Sequence, residues 1–301
     1  MKVFIVGGTG FVGTLLSKKL LEKGHYVTAM ARGRGKGRIE HDKYHYVSGD
    51  AQEPGSWQQA LHDHDAVVNL AGVTIFRRWN PQYKQDILDS RILTTRRVVE
   101  ALPENPSFTF INTSAAGYYG FTGDEELTED SPPGDDFLSL VCQDWEAEAA
   151  KAEAKKVRRL ITRFGVVMQA HGGALEQMIP PFKFGLGGPL GSGKQWFSWI
   201  HANDLTSAFV FLLENKELEG VFNFTAPNPV TNKGMAKALG KALGRPAFIP
   251  VPGFILKLIM GEFGDTLLHG QRVIPQRLLD AGFTFKHPEM LPALEHLLKQ
   301  A

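Results

Sequence analysis

The feature that most constrains the fold is the opening stretch MKVFIVGGTGFVG. Val3 to Val6 is a short apolar run of β-branched and aromatic residues, the pattern of a parallel strand buried on both faces. It runs into Gly7, Gly8, Gly10 and Gly13, and a helix-forming stretch, Thr14 to Glu22, follows at once. Strand, glycine turn and helix in that order are the setting in which spaced glycines hold a pyrophosphate. One glycine makes the tight turn, one lets the backbone approach the phosphates, and Gly13 lets helix and strand pack closely. The helix start adds free N–H groups and the positive end of its dipole. Gly7, Thr9, Gly10, Phe11, Val12 and Gly13 are therefore read as a dinucleotide cradle.

The same alternation continues along the chain and favours a doubly wound parallel sheet of Rossmann-like α/β type. Further strands are expected at His25–Ala31, Tyr44–Ser48, Asp65–Leu70, Phe108–Thr113 and Arg159–Met168. Helices are expected at Trp57–Leu61, Pro81–Ala101 and Phe137–Lys155, the second with Ile87, Leu88, Ile92, Thr95, Val98 and Val99 at helical spacing. The texture changes near Gly172, where glycine and proline begin to punctuate the chain. Residues 1–171 are read as the dinucleotide-binding domain and 172–301 as a smaller α/β substrate domain. The two are interleaved, because Gly220–Thr225 reads as a strand and residues 203–226 return to the first sheet. Helices are also expected at Asn203–Asn215, Asn232–Leu243 and Gly253–His269.

With a net charge of +1 and 22% charged residues, the chain lacks the basic excess that nucleic-acid or membrane-surface binding needs. A single cysteine precludes an intrachain disulfide and suits a reducing compartment. No apolar run approaches the roughly 18 residues of a membrane span. The expected location is the cytoplasm.

The end of the second strand selects the cofactor. A cradle of this kind that holds NAD places a carboxylate about 20 residues past the glycines, on the ribose 2′-OH. Here the strand ends Ala31-Arg32-Gly33-Arg34, with Lys36 and Arg38 close behind and no acid. Guanidinium forks match a 2′-phosphate, so NADP(H) is expected over NAD(H), with Arg32 the main contact and Arg34 the second. Asp50 is placed to accept from the adenine amino group or simply to make a turn. Leu70, Ala71 and Gly72 follow the fourth strand at the carboxyl edge where cofactors lie, and Arg91 on the long helix either reaches the cofactor or is a solvated helix charge.

GGTGFVG, Gly49-Asp50, NLAG at 69–72 and TSAAGYYG at 113–120 resemble the extended short-chain dehydrogenase/reductase superfamily. VCQDWEAEA at 141–149, RFGVVM, GGAL, GGPLGSGKQWFSWIHANDL at 187–205, FNFTAPNPVTN and GQRVIPQRLLDAGF resemble its atypical NAD-dependent epimerase/dehydratase branch, which ends in a DUF1731-type segment. The resemblance covers essentially the whole chain. It implies an oxidoreductase or a nucleotide-sugar-epimerase-like enzyme with a Ser or Thr after the fifth strand, which Thr113 and Ser114 supply. It also implies a Tyr-x-x-x-Lys pair on the next helix, and there this sequence departs: the positions hold Cys142 and Glu146. A glutamate cannot supply the lysine's charge, and a buried thiol is the ordinary reading of Cys142. Ser114 and Tyr119 are the remaining catalytic candidates, with Tyr118 and Tyr119 otherwise walling the pocket. A cofactor-binding sensor or regulator with little chemistry is the alternative reading.

On the substrate side, Arg77, Arg78 and Trp79 offer an anion contact and a ring to stack on, or a solvated loop with a packing Trp. Lys194, Gln195 and Trp196 lie where related enzymes clamp a small-molecule substrate. His201 is read as structural, with Asn203 as the helix cap. The ten histidines are scattered in sequence with no ligand spacing, so no metal is expected. In relatives the helices matching 81–101 and 137–155 pair across a two-fold axis, which leaves a homodimer or a monomer as the expected assembly.

Overall fold

The computed structural model describes residues 1–33 and 39–299. Seven parallel strands form the main sheet: β1 (Lys2–Val6), β2 (Tyr26–Ala31), β3 (Tyr44–Ser48), β4 (Ala66–Asn69), β5 (Thr109–Ala115), β6 (Arg158–Phe164) and β7 (Gly220–Phe224). Their order is β7-β6-β5-β4-β1-β2-β3. β1 pairs with both β2 and β4, Val3 lying opposite Val27 on one side and Ala66 on the other. The chain therefore winds away from β1 in both directions, and a crevice opens where the carboxyl ends of β1 and β4 part.

Helices cover both faces. On one, α1 (Phe11–Glu22) packs with the later helix Ala202–Glu214 over Val3, Ile5, Val68, Ile111 and Leu160. On the other, α2 (Trp57–Leu61), α3 (Pro81–Ala101) and α4 (Phe137–Ala150) lie on that side of the sheet, with Phe4, Val67, Phe110 and Ile161 among the buried residues. Sheet residues alternate between these two cores, as strands buried on both faces must. A third core, with Met168, Leu175, Trp199, Met235, Leu239, Met290 and Leu294, gathers segments after residue 165. The helix Ala202–Glu214 and β7 lie between those segments in sequence yet pack in the main sheet.

Two expected elements differ, and one helix was not expected. The strand expected at 159–168 breaks at Gly165, whose N–H bonds Phe224 O; Val166–Met168 then leaves the main sheet to pair with Trp199–His201. The helix expected over 253–269 divides into Gly253–Met260 and Glu262–Thr266 at Gly261, which has φ +63°. A helix at Gly173–Lys183 contains Pro180 and Pro181, which reads against a helix in sequence terms. No helix among the described residues is long and apolar enough to cross a membrane.

Candidate functional site

The glycine cradle sits at the crevice between β1 and β4. Gly7 has φ +79°, and its N–H and that of Gly8 both bond Met30 O, which turns the chain sharply off β1. A Cβ on Gly7 would press on the backbone of Leu70 and Ala71 at 3.1 Å, so the β1 and β4 turns are in close approach. A Cβ on Gly13 would overlap Gly7 O and the Gly8 backbone. α1 then begins at Phe11, capped by Gly10 with no side-chain bond and no acid in its first turn, which leaves its N–H groups and positive dipole end for an anion.

Arg32 follows β2 and is exposed. The turn beyond it is held by Tyr46 and Ser48, whose hydroxyls donate to Gly33 O at 2.7 and 2.8 Å. Arg34, Lys36 and Arg38 lie outside the described residues. Asp50 is exposed and accepts from Gln52 N at 3.0 Å, the turn role that its sequence position also allowed.

Behind the β4 turn a buried polar net fixes the edge. Asn69 donates to Asn112 Oδ1 and Thr95 Oγ1, and its own Oδ1 accepts from Ala71 N. Trp145 Nε1 donates to the same Thr95 hydroxyl at 2.8 Å. Arg91 lies against the Trp145 ring at 5.2 Å, with its guanidinium 3.4–3.5 Å from where a Gly72 side chain would start.

Ser114, next to last in β5, donates to Glu146 Oε1 at 2.6 Å. Glu146, one turn beyond Cys142 on α4, is held in a two-pronged pair with Arg163 of β6, both bonds 2.8 Å. Cys142 is buried, and desolvation together with Glu146 pushes its thiol up to about 11, opposed by Arg91 and by a hydrogen bond with Ser114. The position that would carry a lysine thus carries a carboxylate whose charge Arg163 balances.

Tyr119 does not lie open to a substrate. It is 2% exposed; its hydroxyl donates to Asn223 Oδ1 at 2.7 Å and accepts from Arg163 at 2.9 Å. Burial pushes its pKa up to about 12 against the pull of Arg163. This corrects its expected role as proton donor: the phenol is a strut between β6 and β7. Glu129 closes the same net by accepting from the N–H groups of Asn223 and Arg277. The Thr113 hydroxyl beside Ser114 is buried and has no hydrogen-bond partner among the described residues.

The substrate-side candidates scatter. Trp79 is buried, edge-on to Phe137 and tilted against Phe263, and donates to Ile75 O. It packs rather than stacks on a ligand, because the ring is buried against these two side chains. Arg78 donates to Leu258 O, tying the loop after β4 to the 253–260 helix. Trp196 donates to Asp124 and lies under Arg272, while Lys194 is exposed.

The histidines do converge, which sequence spacing could not reveal. His201, His287 and His296 bring ring nitrogens within 4.8 Å of one another. His201, not Asn203, caps the Ala202–Glu214 helix: its Nδ1 accepts from Asn203 N at 2.9 Å. The proton of the neutral ring is therefore on Nε2, which faces His296 Nδ1 at 3.2 Å. His287 stacks on His201 at 3.8 Å and donates its backbone N–H to Asp204. Burial, reinforced by His287 and His296, lowers the His201 pKa to about 3. A histidine kept neutral in the fold and titrating near 6.5 when unfolded contributes stability above that pH, lost as pH falls. Going from pH 7.5 to 5.0 is expected to cost about 2 kcal/mol through this residue. Denaturant melts of the natural chain and of His201→Asn, which keeps a capping oxygen, check this: the pH dependence should be visibly smaller in the variant.

Comparison with known proteins gives the same frame. The model of the NAD dependent epimerase/dehydratase family matches residues 3–224, and a domain of unknown function, DUF1731, matches 251–297. The mouse epimerase family protein SDR39U1 is 40% identical across 99% of this chain and all of its own length. Bacillus subtilis YfhF is 38% identical, over 99% of this chain and 98% of its own. The crystal structure of human SDR39U1 with NADPH is 37% identical and superimposes with a TM-score of 0.88 over the whole of both chains.

Proposed function

We propose, for a chain that belongs to the NAD dependent epimerase/dehydratase family, that it is an NADP(H)-dependent oxidoreductase or epimerase-like enzyme acting on a small polar substrate. The observation that carries this reading is the pairing of the uncapped glycine cradle with Arg32, where an NAD-holding chain has a carboxylate. The SDR39U1 structure with NADPH supports it from outside the chain.

NADP(H) supplies a hydride donor or acceptor when bound. Gly7 to Gly13 hold the pyrophosphate and Arg32 the 2′-phosphate. Ser114, its side chain buried and its hydrogen turned toward Glu146, orients that carboxylate, the acceptor to which a substrate proton can pass. A second reading, a cofactor-binding protein with little turnover, is favoured by the two-pronged Arg163 pair. That pair already engages both carboxylate oxygens of Glu146.

Arg32→Ala is expected to weaken NADPH binding by about tenfold or more, roughly 1.4 kcal/mol, and leave NADH binding nearly unchanged. Titration of both nucleotides by fluorescence decides it; equal losses would remove the 2′-phosphate contact. NADPH oxidation against a panel of carbonyl compounds separates the two readings, since a binding protein would show none.

A further inference from the structure

Three histidines from three separate segments meet at one place in the fold. His201 ends the short strand Trp199–His201, His287 lies in the segment before the last helix, Met290–Leu298, and His296 lies on that helix. One ring nitrogen from each falls within 4.8 Å of the other two. His201 is buried, while His287 and His296 keep partial exposure and so open the cluster to solvent.

Each ring is held from behind. The Asn203 N–H fixes His201 through Nδ1 at 2.9 Å. Asp204 accepts from the N–H groups of Lys286 and His287 at 2.9 and 2.8 Å, which anchors the backbone under His287. Leu294 and Leu297 are buried and fix how the helix carrying His296 sits. His287 lies nearly flat on His201, with ring centroids 3.8 Å apart, and its centroid is 4.4 Å from that of His296. His201 Nε2 and His296 Nδ1 are 3.2 Å apart. Nitrogens bound about 2.0–2.1 Å from one tetrahedral ion stand roughly 3.4 Å from each other, so this pair already spans one edge of a coordination tetrahedron. A rotation of the His287 ring brings in the third corner. Burial disfavours a proton on His287, and the nearby Asp204 carboxylate favours positive charge there, against the opposing pull of His296 and Lys286.

We propose that His201, His287 and His296 form a three-histidine site for a divalent transition-metal ion of the zinc type, with water as the fourth ligand. Three imidazoles suit zinc, nickel or copper rather than calcium or magnesium, which take oxygen ligands. Ligation at Nε2 moves the His201 proton to Nδ1, and the Asn203 N–H then gives up its acceptor. That lost cap makes the site weaker than one whose rings need no such change. The ion ties the segment carrying His287 and His296 to the start of the Ala202–Glu214 helix, which packs on the main sheet. The site departs from the expectation of no metal drawn from histidine spacing, and it is independent of the NADP(H) reading.

The tag-free chain, stripped with EDTA and dialysed, is titrated with zinc by calorimetry and with cobalt(II) by visible absorption. One saturable zinc site per chain is expected, with a Kd of about 10 µM or tighter, and cobalt should show the intense visible bands of a four-coordinate ion. Zinc at about 100 times its Kd shifts the folding equilibrium about a hundredfold toward the native state, read as a rise in melting temperature. His287→Ala and His296→Ala are each expected to weaken zinc binding by about tenfold or more, and the double variant to abolish it. Should a variant fail to fold, X-ray absorption of the zinc-loaded wild type reads the site directly: three imidazole nitrogens at about 2.0–2.1 Å are expected. No saturable zinc binding, equally tight binding in the double variant, or an absorption spectrum without imidazole neighbours overturns the proposal. NADPH enters none of these measurements, so their failure leaves the cofactor reading untouched.

Discussion

Arg163→Met will remove about 3–5 kcal/mol of stability, the cost of leaving a buried carboxylate unpaired. The Arg163 side chain is 4% exposed and that of Glu146 12%. Arg163 also donates to the Tyr119 hydroxyl and to Glu129 O, and stacks 3.4 Å from the Tyr118 ring centroid. One substitution therefore strips donors from α4, from the loop after β5 and from the segment leading to α4. Urea unfolding of the variant checks the size. A loss below about 1 kcal/mol would mean that the net relaxes or admits water. The double variant Arg163→Met with Glu146→Gln should recover part of the loss, since a neutral amide is far cheaper to bury than an unpaired ion.

The second large effect is expected at Gly13→Val. Its Cβ would meet backbone, Gly7 O and Gly8, rather than the movable end of a side chain. Relief then requires α1 to move off β1 or the turn at Gly7 to open, and either displaces the N–H groups at the start of α1. NADPH affinity is expected to fall by about a hundredfold or more, roughly 2.7 kcal/mol, with a loss of thermal stability alongside. Gly123→Ala is the matched control, because nothing lies within 4 Å of its Cβ direction and its φ is not positive. If Gly13→Val binds NADPH like wild type, the cradle is not the cofactor site.

The elements that were legible in the sequence are those whose cause is local. The run Val3–Val6, the glycines behind it and the helix after them are specified by residues within a few positions of one another. The same holds for β2 to β5 and for α3, whose apolar periodicity survives in the structure. Local pattern misled wherever a distant segment decides. Arg159–Met168 looks like one strand, yet Ser198 and Phe224 approach Gly165 from elsewhere and split it. The helix Gly173–Lys183, which carries Pro180 and Pro181, was not among the expected elements.

The site divides along the same line. The glycine turn and Arg32 are contiguous with strands, so their placement at the ends of β1 and β2 could be read off directly. Tyr119 looked catalytic because it follows β5, but Asn223 and Arg163, 104 and 44 residues further on, close over its hydroxyl. Trp79 looked like a stacking ring until Phe137 and Phe263 covered it. The pairing of Glu146 with Arg163 and the meeting of His201 with His287 and His296 join residues on separate elements, and no spacing rule encodes them.

By itself, then, the sequence determined the doubly wound frame, the dinucleotide cradle and the cation at the end of β2, because backbone conformation and strand-to-helix succession are short-range properties. Only the tertiary structure decided which polar groups are spent on one another. That is a matter of partners brought together by the packing of the sheet and its helices, and it leaves Ser114 bonded to Glu146, Tyr119 sealed, and Arg91 beside Gly72 donating to Ile87 O and Val73 O.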